Sequence, residues 1–184
     1  VNFKVKVQIL ICDVMNELLD TTKPLAQRDS AKKPAVILEF SSPNIAKPFN
    51  IYHLRSTMIG SCLHKIFNVR GHQSTAINHL GDWGTQFGFL TVAYNKWGDE
   101  KDLEARGIPY LVELYVRINK EIETNPALAD EARNAFSKLE KGDVEIQKIW
   151  KKFSELSIKN FKQTYARLNV EFDHYWGESF YLDK

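Results

Sequence analysis

A short apolar segment, a polar loop and an amphipathic helix follow one another between residues 36 and 69, and this order constrains the fold most strongly. Val36–Phe40 is apolar and β-branched at its start, which predicts a buried strand. A helix is predicted over His53–Val69, and Gly71 supplies a left-handed stop. A second strand is expected over Ser74–Leu80. Because a strand, a crossover helix and a strand form a right-handed unit, the two strands are predicted to be parallel. The apolar residues on one face of this helix are Leu54, Met58, Cys62, Ile66 and Val69.

Helices are predicted to dominate the rest of the chain. The predicted spans are Val7–Leu19, Thr85–Trp97, Ile108–Ile122, a helix that starts at Asn125-Pro126 and runs to Leu139, and Val144–Leu168. Val1–Leu10 also alternates like a strand, and Asp20–Pro34 is typical of a solvated loop. The aromatic segment Phe172–Tyr181 is expected to return toward the sheet. Together these elements predict the α/β class.

Bulk composition excludes several kinds of protein. The formal net charge is only +2, from 25 basic and 23 acidic side chains, so contacts with nucleic acid must come from local patches. No apolar run approaches the roughly 20 residues of a membrane span, and we expect no membrane partner. The two cysteines, Cys12 and Cys62, lie in apolar helical patterns, which predicts buried free thiols in a reducing compartment.

The loop after the first strand concentrates polar groups that suit phosphoryl or adenylyl transfer. Glu39 lies near the C-terminal end of the strand, where its carboxylate can accept a bidentate hydrogen bond from a guanidinium or ammonium group. The turn Ser42-Pro43-Asn44 can fix a small zwitterion. Lys47 offers a cation to a phosphate, and His53 can donate to phosphate oxygens at the mouth of a helix. The alternative is that this loop only caps the next helix and that His53 is a surface histidine without a functional role.

A second polar segment, Asn78–Gly88, follows the second predicted strand. Glycines on both sides of Asp82 and Trp83 permit a sharp turn with exposed backbone amides. Asp82 is expected either to line a site or to cap the next helix. Trp83 is expected either to stack on a nucleobase or to seal the sheet edge. No histidine or cysteine has companions at ligand spacing, so we expect no protein-bound metal.

Four stretches of the chain resemble arginyl-tRNA synthetase, a class I enzyme with a Rossmann-type catalytic core. In order they are Ser41–Phe49, His53–Thr57, Leu80–Gly88 and Gly177–Tyr181. The resemblance covers essentially the whole chain. It implies a partial Rossmann-type catalytic domain over residues 35–184, with a helical insertion at about 108–170. Residues 1–34 resemble the junction and linker that lead from the family's N-terminal domain into this core.

The resemblance implies ATP-dependent activation of L-arginine and its transfer to tRNA(Arg), with ATP entering together with magnesium. The implied contacts to arginine or its adenylate are Glu39, Ser42, Pro43, Asn44 and His53. Those to ATP are Lys47, Asn50, Tyr52 and His53, and the implied catalytic residues are Lys47, Asn50 and His53. The implied wall near the tRNA acceptor end consists of Asp82, Trp83 and Gln86. The family's usual form is a monomer, which we expect here.

Two residues depart from the family's nucleotide motif. The family pattern is His-x-Gly-His, whereas residues 50–53 read Asn-Ile-Tyr-His. Asn50 cannot carry the charge of the missing imidazole, and the Tyr52 phenol should collide with adenine where glycine leaves room. Two hypotheses follow. The chain is the N-terminal half of the catalytic domain of a working synthetase, inactive by itself, or it is a catalytically inactive module that binds RNA or protein. Tyr165–Asp173 resembles the mitochondrial and fungal branch, which favours a mitochondrial over a cytoplasmic location.

Overall fold

The computed structural model describes residues 4–20 and 33–182, which contain three strands, seven α-helices and one 3₁₀ turn. The strands are β1 (Val36–Glu39), β2 (Ser74–Asn78) and β3 (His174–Tyr175). The helices are α1 (Val7–Leu19), α2 (Ile51–Val69), α3 (Thr85–Trp97), α4 (Glu100–Arg106), α5 (Ile108–Thr124), α6 (Ala127–Glu140) and α7 (Val144–Leu168), and the 3₁₀ turn spans Glu178–Tyr181. The predicted α/β class is confirmed, and every helix except α4 matches a prediction.

The three strands form one parallel sheet in the order β1-β2-β3. Val36 of β1 pairs with Ser74 of β2, and Ile77 of β2 pairs with His174 of β3. The predicted parallel pair is therefore confirmed, as is the return of the C-terminal aromatic segment to the sheet. Because the strands run in chain order, the strand order does not reverse within the described residues.

β1 is an edge strand with only one covered face, and the prediction of a fully buried strand is wrong. Its residues alternate between half-buried and exposed, and the side chain of Ile37 is 71% exposed. The second edge of β1 has no partner strand among residues 4–20 and 33–182. An apolar run alone cannot show whether one face of a strand or both will be covered.

Helix α2 packs through its small residues, and its apolar stripe lies on the outside. Thr57, Gly60 and Ser61 are the buried residues of this helix. A Cβ on Gly60 would lie 2.1 Å from Cγ of Phe40, so the absent side chain lets the helix approach the end of β1. The exposed apolar residues of α2 are Ile51, Met58, Ile59, Leu63, Ile66 and Val69.

Both cysteines are free and exposed, so the prediction of buried thiols is wrong. Cys62 lies on the exposed stripe of α2. Cys12 lies on α1, which has no buried residue. In each case the apolar helical spacing is present, but none of the described elements covers that side of the helix.

The strand-like alternation at the N-terminus does not produce a strand in the described residues. Helix α1 begins at Val7, so the helical prediction is confirmed there and the strand prediction fails for residues 7–10. Residues 1–3 of that predicted strand lie outside the described part. Of the predicted loop Asp20–Pro34, residues 21–32 also lie outside it.

Helices α3 to α7 enclose most of the apolar core. Its largest fully buried members are Tyr165, Phe87, Phe153 and Phe161. The unpredicted helix α4 has only one buried residue, Leu103, and therefore no apolar period. It begins at an Asp99 cap, whose carboxylate accepts the N–H of Lys101 at 2.8 Å and of Asp102 at 3.0 Å. Across the described ranges, no helix is long and apolar enough to cross a bilayer.

Candidate functional site

Two loops run side by side at the carboxyl ends of β1 and β2. Asn44 and Gly81 form an isolated parallel bridge. The N–H of Ile45 donates to the Gly81 oxygen at 3.0 Å, and the N–H of Gly81 donates to the Pro43 oxygen at 3.2 Å. A Cβ on Gly81 would lie 2.0 Å from Oδ1 of Asn44, so any other residue here would force the Asn44 side chain to move. The two polar segments singled out in the sequence therefore belong to one surface.

The first loop holds three residues in a left-handed backbone conformation. Ser41 has a φ of 74°, Ser42 of 47° and Ala46 of 59°. Each such conformation costs roughly 1–3 kcal/mol in a residue with a side chain and persists only where surrounding contacts impose it. Here the N–H of Ser42 donates to Oδ1 of Asn78 at 3.2 Å, and the N–H of Ala46 donates to Oγ of Ser157 at 3.0 Å. The loop is therefore held from β2 and from α7.

A buried chain of hydroxyl groups lies beneath this loop. The Tyr165 hydroxyl of α7 is 2.7 Å from Oγ of Ser41 and accepts a hydrogen bond from Nδ2 of Asn78 at 3.0 Å. Oγ1 of Thr57 is 2.7 Å from Oγ of Ser41, and it donates to the backbone oxygen of His53 at 2.6 Å. Burial raises the pKa of Tyr165, which keeps its hydroxyl protonated. Polar contacts thus run without a break from β2 to the mouth of α2.

Sequence reasoning did not assign Tyr165 or Thr57 to the site, and it included Asn78 only as the first residue of the second polar segment. Tyr165 has the spacing of the α7 apolar stripe, and Thr57 lies within the helix. Asn78 stands at the end of a strand, and its polarity at a buried position is a signal that could have been used.

Glu39 and Ser42 lie together at the end of β1. The Ser42 hydroxyl donates a hydrogen bond to Oε1 of Glu39. Glu39 is exposed, so its remaining lone pairs are open to solvent. A carboxylate oriented in this way can accept two hydrogen bonds from a guanidinium group or a bond from an ammonium group.

Asn50 and His53 form the N-terminal cap of α2. Oδ1 of Asn50 accepts the N–H of Tyr52 at 3.1 Å and of His53 at 3.2 Å, and Nδ1 of His53 accepts the N–H of Asn50 at 3.1 Å. This reciprocal arrangement is a capping box. Because Nδ1 is an acceptor, a neutral His53 carries its proton on Nε2. Burial lowers the pKa of His53, which favours this neutral form.

Tyr52 and Lys47 are both exposed and lie close to the cap in the chain. The Tyr52 side chain is 81% exposed and stands in the first turn of α2. Lys47 is exposed and forms no ion pair within the described ranges. It lines a cavity of about 230 Å³ together with Gln86 of α3 and Tyr115 of α5. The structure thus places the Lys47 cation beside a residue of the second polar segment.

The turn after β2 is tied to the C-terminal segment. The carboxylate of Asp82 accepts the N–H of Ser179 at 2.9 Å and its hydroxyl at 2.5 Å. A Cβ on Gly177 would lie 2.4 Å from Oδ1 of Asp82, so the glycine leaves room for this carboxylate. The alternative in which Asp82 caps α3 is wrong, because the cap residue is Gly84 and no side chain bonds there.

Trp83 packs among aromatic side chains of the helical half. Its ring lies 5.6 Å from that of Trp150 on α7 and 5.8 Å from that of Phe136 on α6, both edge to face. The indole N–H of Trp150 donates to the backbone oxygen of Asp82 at 2.7 Å. The turn is therefore held against the helical half by its own Trp83 and by Trp150 of α7. No group of three His, Cys, Asp or Glu residues suited to a metal ion occurs in the described part of the chain.

Comparison with known proteins gives consistent matches. The family model described as tRNA synthetases class I (R), catalytic domain, matches residues 13–184. An arginine–tRNA ligase of Clostridioides difficile (strain 630) is 48% identical over 184 residues, covering all of this chain and 32% of the relative. A second, from Halothermothrix orenii, is 47% identical over 183 residues with the same coverage of 32%. The crystal structure of arginyl-tRNA synthetase from Plasmodium falciparum superposes with a TM-score of 0.66 at 31% identity, covering 85% of this chain and 26% of that one. The chain thus spans about a third of the length of the curated relatives it matches.

Proposed function

Since this chain belongs to the class I (R) tRNA synthetase catalytic-domain family, we propose that it forms the N-terminal part of the catalytic domain of an arginine–tRNA ligase. Its fold is the partial Rossmann-type core of that family, with a small parallel sheet and many helices. The proposed reaction is ATP-dependent activation of L-arginine, followed by transfer of the arginyl group to tRNA(Arg).

The arrangement of Glu39, Ser42 and Asn44 supports an arginine site. The exposed carboxylate of Glu39 accepts a hydrogen bond from the Ser42 hydroxyl, and Asn44 lies next to Gly81 on the opposite loop. A cationic amino acid supplies an ammonium and a guanidinium group for the carboxylate. The polar turn of Ser42, Pro43 and Asn44 provides hydroxyl and amide groups for the rest of the zwitterion.

The mouth of α2 supports an ATP site. Its amides and macrodipole favour negative charge, and the Nε2–H of neutral His53 adds a donor. Lys47 supplies a cation on the neighbouring loop. In activation, an arginine carboxylate oxygen attacks the α-phosphorus of ATP, the new O–P bond forms the adenylate, and pyrophosphate leaves with the electron pair. Lys47 and His53 would stabilise the charge that develops on the phosphates, and magnesium would enter with ATP.

The second step requires the acceptor end of tRNA to reach the same arginine and ATP sites. A hydroxyl of the terminal tRNA ribose attacks the arginyl carbonyl, and AMP leaves. Gln86 lines the same cavity as Lys47, and Asp82 and Trp83 lie in the turn before α3. Their position supports a wall for the acceptor end.

A second candidate function is a synthetase-like module that binds RNA or protein without forming an adenylate. The observation that favours it is the side chain of Tyr52, which projects from the first turn of α2 where family members have glycine. Asn50, in turn, uses its Oδ1 for the helix cap and cannot offer that oxygen to a ligand as well.

Arginine-dependent exchange between ATP and pyrophosphate separates the two functions. The assay uses the full-length protein that contains this chain, with and without tRNA(Arg). Exchange that requires arginine and tRNA, and that falls at least tenfold in Lys47→Ala, supports the ligase. A protein that binds tRNA at low salt and shows no exchange, even after Asn50→His and Tyr52→Gly, is the module. Mitochondrial rather than cytoplasmic location and a monomeric state remain predictions from the sequence.

A further inference from the structure

We propose that Tyr165 of α7 is a positioning residue, whose hydroxyl holds the loop of residues 41–46 and the mouth of α2 in the geometry that binds substrate. This inference rests on the proposed function of that loop. Tyr165 itself is 1% exposed, so it touches neither arginine nor ATP and acts only through its neighbours.

The Tyr165 hydroxyl connects α7 to two segments of the site. It meets the end of β1 at Ser41 and the end of β2 at Asn78. Asn78 in turn holds the Ser42 N–H, and Ser41 leads through Thr57 to the backbone oxygen of His53. The hydroxyl therefore links the proposed arginine loop to β2 directly and reaches the proposed phosphate-binding histidine through Ser41 and Thr57.

The loop needs such a support because of its backbone. Ser41 and Ser42 are both left-handed, which residues with a side chain rarely adopt without imposed contacts. The strands alone do not impose this conformation, since β1 ends at Glu39. The contacts that fix it come from Asn78 and Tyr165, and a second contact of α7, from Ser157 to Ala46, fixes the far end of the loop.

The ring and the hydroxyl of Tyr165 have separable roles. The ring packs edge to face against Phe49 at 5.8 Å and against Phe172 at 5.0 Å. These contacts need no hydroxyl, so Tyr165→Phe preserves the packing and removes only the hydrogen bonds. A matched control exists in Tyr175, whose ring lies 6.5 Å from that of Tyr165 and whose hydroxyl forms no hydrogen bond in the described ranges.

The experiment compares Tyr165→Phe and Tyr175→Phe in the full-length protein. We expect Tyr165→Phe to raise the KM for arginine in pyrophosphate exchange about tenfold, the effect of losing one or two neutral hydrogen bonds that hold the binding conformation. Tyr175→Phe should stay within about twofold of wild type by the same reasoning. Backbone hydrogen exchange of residues 41–46 should become about tenfold faster in Tyr165→Phe only.

Two further variants, Ser41→Ala and its double variant with Tyr165→Phe, test the same inference from the loop side. Ser41→Ala removes the shared bond from the loop side together with the contact to Thr57, so the increase in KM of the double variant with Tyr165→Phe should be smaller than the product of the two single increases. Ser41→Ala also replaces Tyr165→Phe if the latter does not fold. A Tyr165→Phe protein with a lower melting temperature but an unchanged KM overturns the inference, because its hydroxyl then has only a structural role.

Failure of the proposed function gives a different pattern. A wild-type protein without arginine-dependent exchange contradicts the ligase, and hydrogen exchange then decides the positioning role by itself. Faster exchange of residues 41–46 in Tyr165→Phe supports that role, and unchanged exchange overturns it.

Discussion

The N–H of Asn50 donates to Nδ1 of His53 at 3.1 Å, while Oδ1 of Asn50 accepts the N–H of His53 at 3.2 Å. This reciprocal pair begins α2 and fixes which nitrogen of the imidazole carries the proton. Asparagine is among the preferred residues at a helix cap. Asn50, which stands where the family has histidine, therefore has a structural function at the N-terminus of the helix.

Replacing Asn50 separates its structural function from its effect on nucleotide binding. We expect Asn50→Ala to lower the free energy of unfolding by about 1 kcal/mol, because two N–H groups lose their acceptor. Asn50→Asp should keep the stability, since a carboxylate caps a helix well, and should weaken ATP binding, since its charge repels phosphate. Urea unfolding and an ATP titration measure the two effects. Equal stability of Asn50→Ala and wild type would contradict the cap.

His53 should make stability depend on pH. Burial lowers its pKa in the folded protein below the ordinary value near 6.5, so between these two values the unfolded chain binds a proton that the folded chain does not. The His53 contribution is therefore complete above pH 6.5 and is lost as the pH falls through the folded pKa.

The free energy of unfolding in urea, measured at pH 7.5 and at pH 5.5, tests this dependence. The loss of stability between the two should be smaller in His53→Gln than in wild type, because the variant has no imidazole to titrate. His72→Gln is the control, since Nδ1 of His72 donates to the Pro34 oxygen and takes no part in the cap. An identical loss in all three proteins would show that His53 does not contribute.

Tyr52 should limit access of ATP to the mouth of α2. Its side chain is 81% exposed, so Tyr52→Gly loses little packing and costs at most about 1 kcal/mol of helix propensity. We expect this change to tighten ATP binding at least tenfold by removing the phenol from the entrance. Tyr52→Phe keeps the ring and should leave the affinity unchanged. An ATP titration followed by tryptophan fluorescence provides the measurement, and equal affinities of all three proteins would mean that Tyr52 does not obstruct the site.

Asp82 should hold the C-terminal segment against the turn after β2. Asp82→Ala leaves the N–H and hydroxyl of Ser179 without their acceptor, and hydrogen bonds to charged groups contribute about 1.5–3 kcal/mol. We expect a loss of stability of that size and faster proteolysis near residues 177–182. The exposed neighbour Glu178 gives the control, because Glu178→Ala should change neither property. Slow proteolysis of Asp82→Ala would show that other contacts hold this segment.

Local patterns in the sequence were sufficient for much of the fold. The strand, helix and strand order over residues 36–78 and the helices of the second half each depend on residues a few positions apart. The capping box is equally local, since Asn50 and His53 are three residues apart. Such signals can be interpreted without knowing what surrounds them.

The direction in which an apolar face points could not be predicted in the same way. Helix α2 has apolar residues at regular spacing, yet its buried residues are Thr57, Gly60 and Ser61. Which face of a helix is covered depends on the shape of its neighbours, here the Phe40 side chain that occupies the space beside Gly60. The same limit explains the wrong prediction for Cys62.

By itself the sequence determined the α/β class, the family resemblance and the polar groups of both loops, because these depend on residues close together in the chain. Only the tertiary structure decided what holds the loops in place. Tyr165 meets Ser41 across 124 residues, and Ser179 meets Asp82 across 97. Contacts at such separations leave no local pattern, because they form only when helices of the second half pack back against the carboxyl ends of the strands.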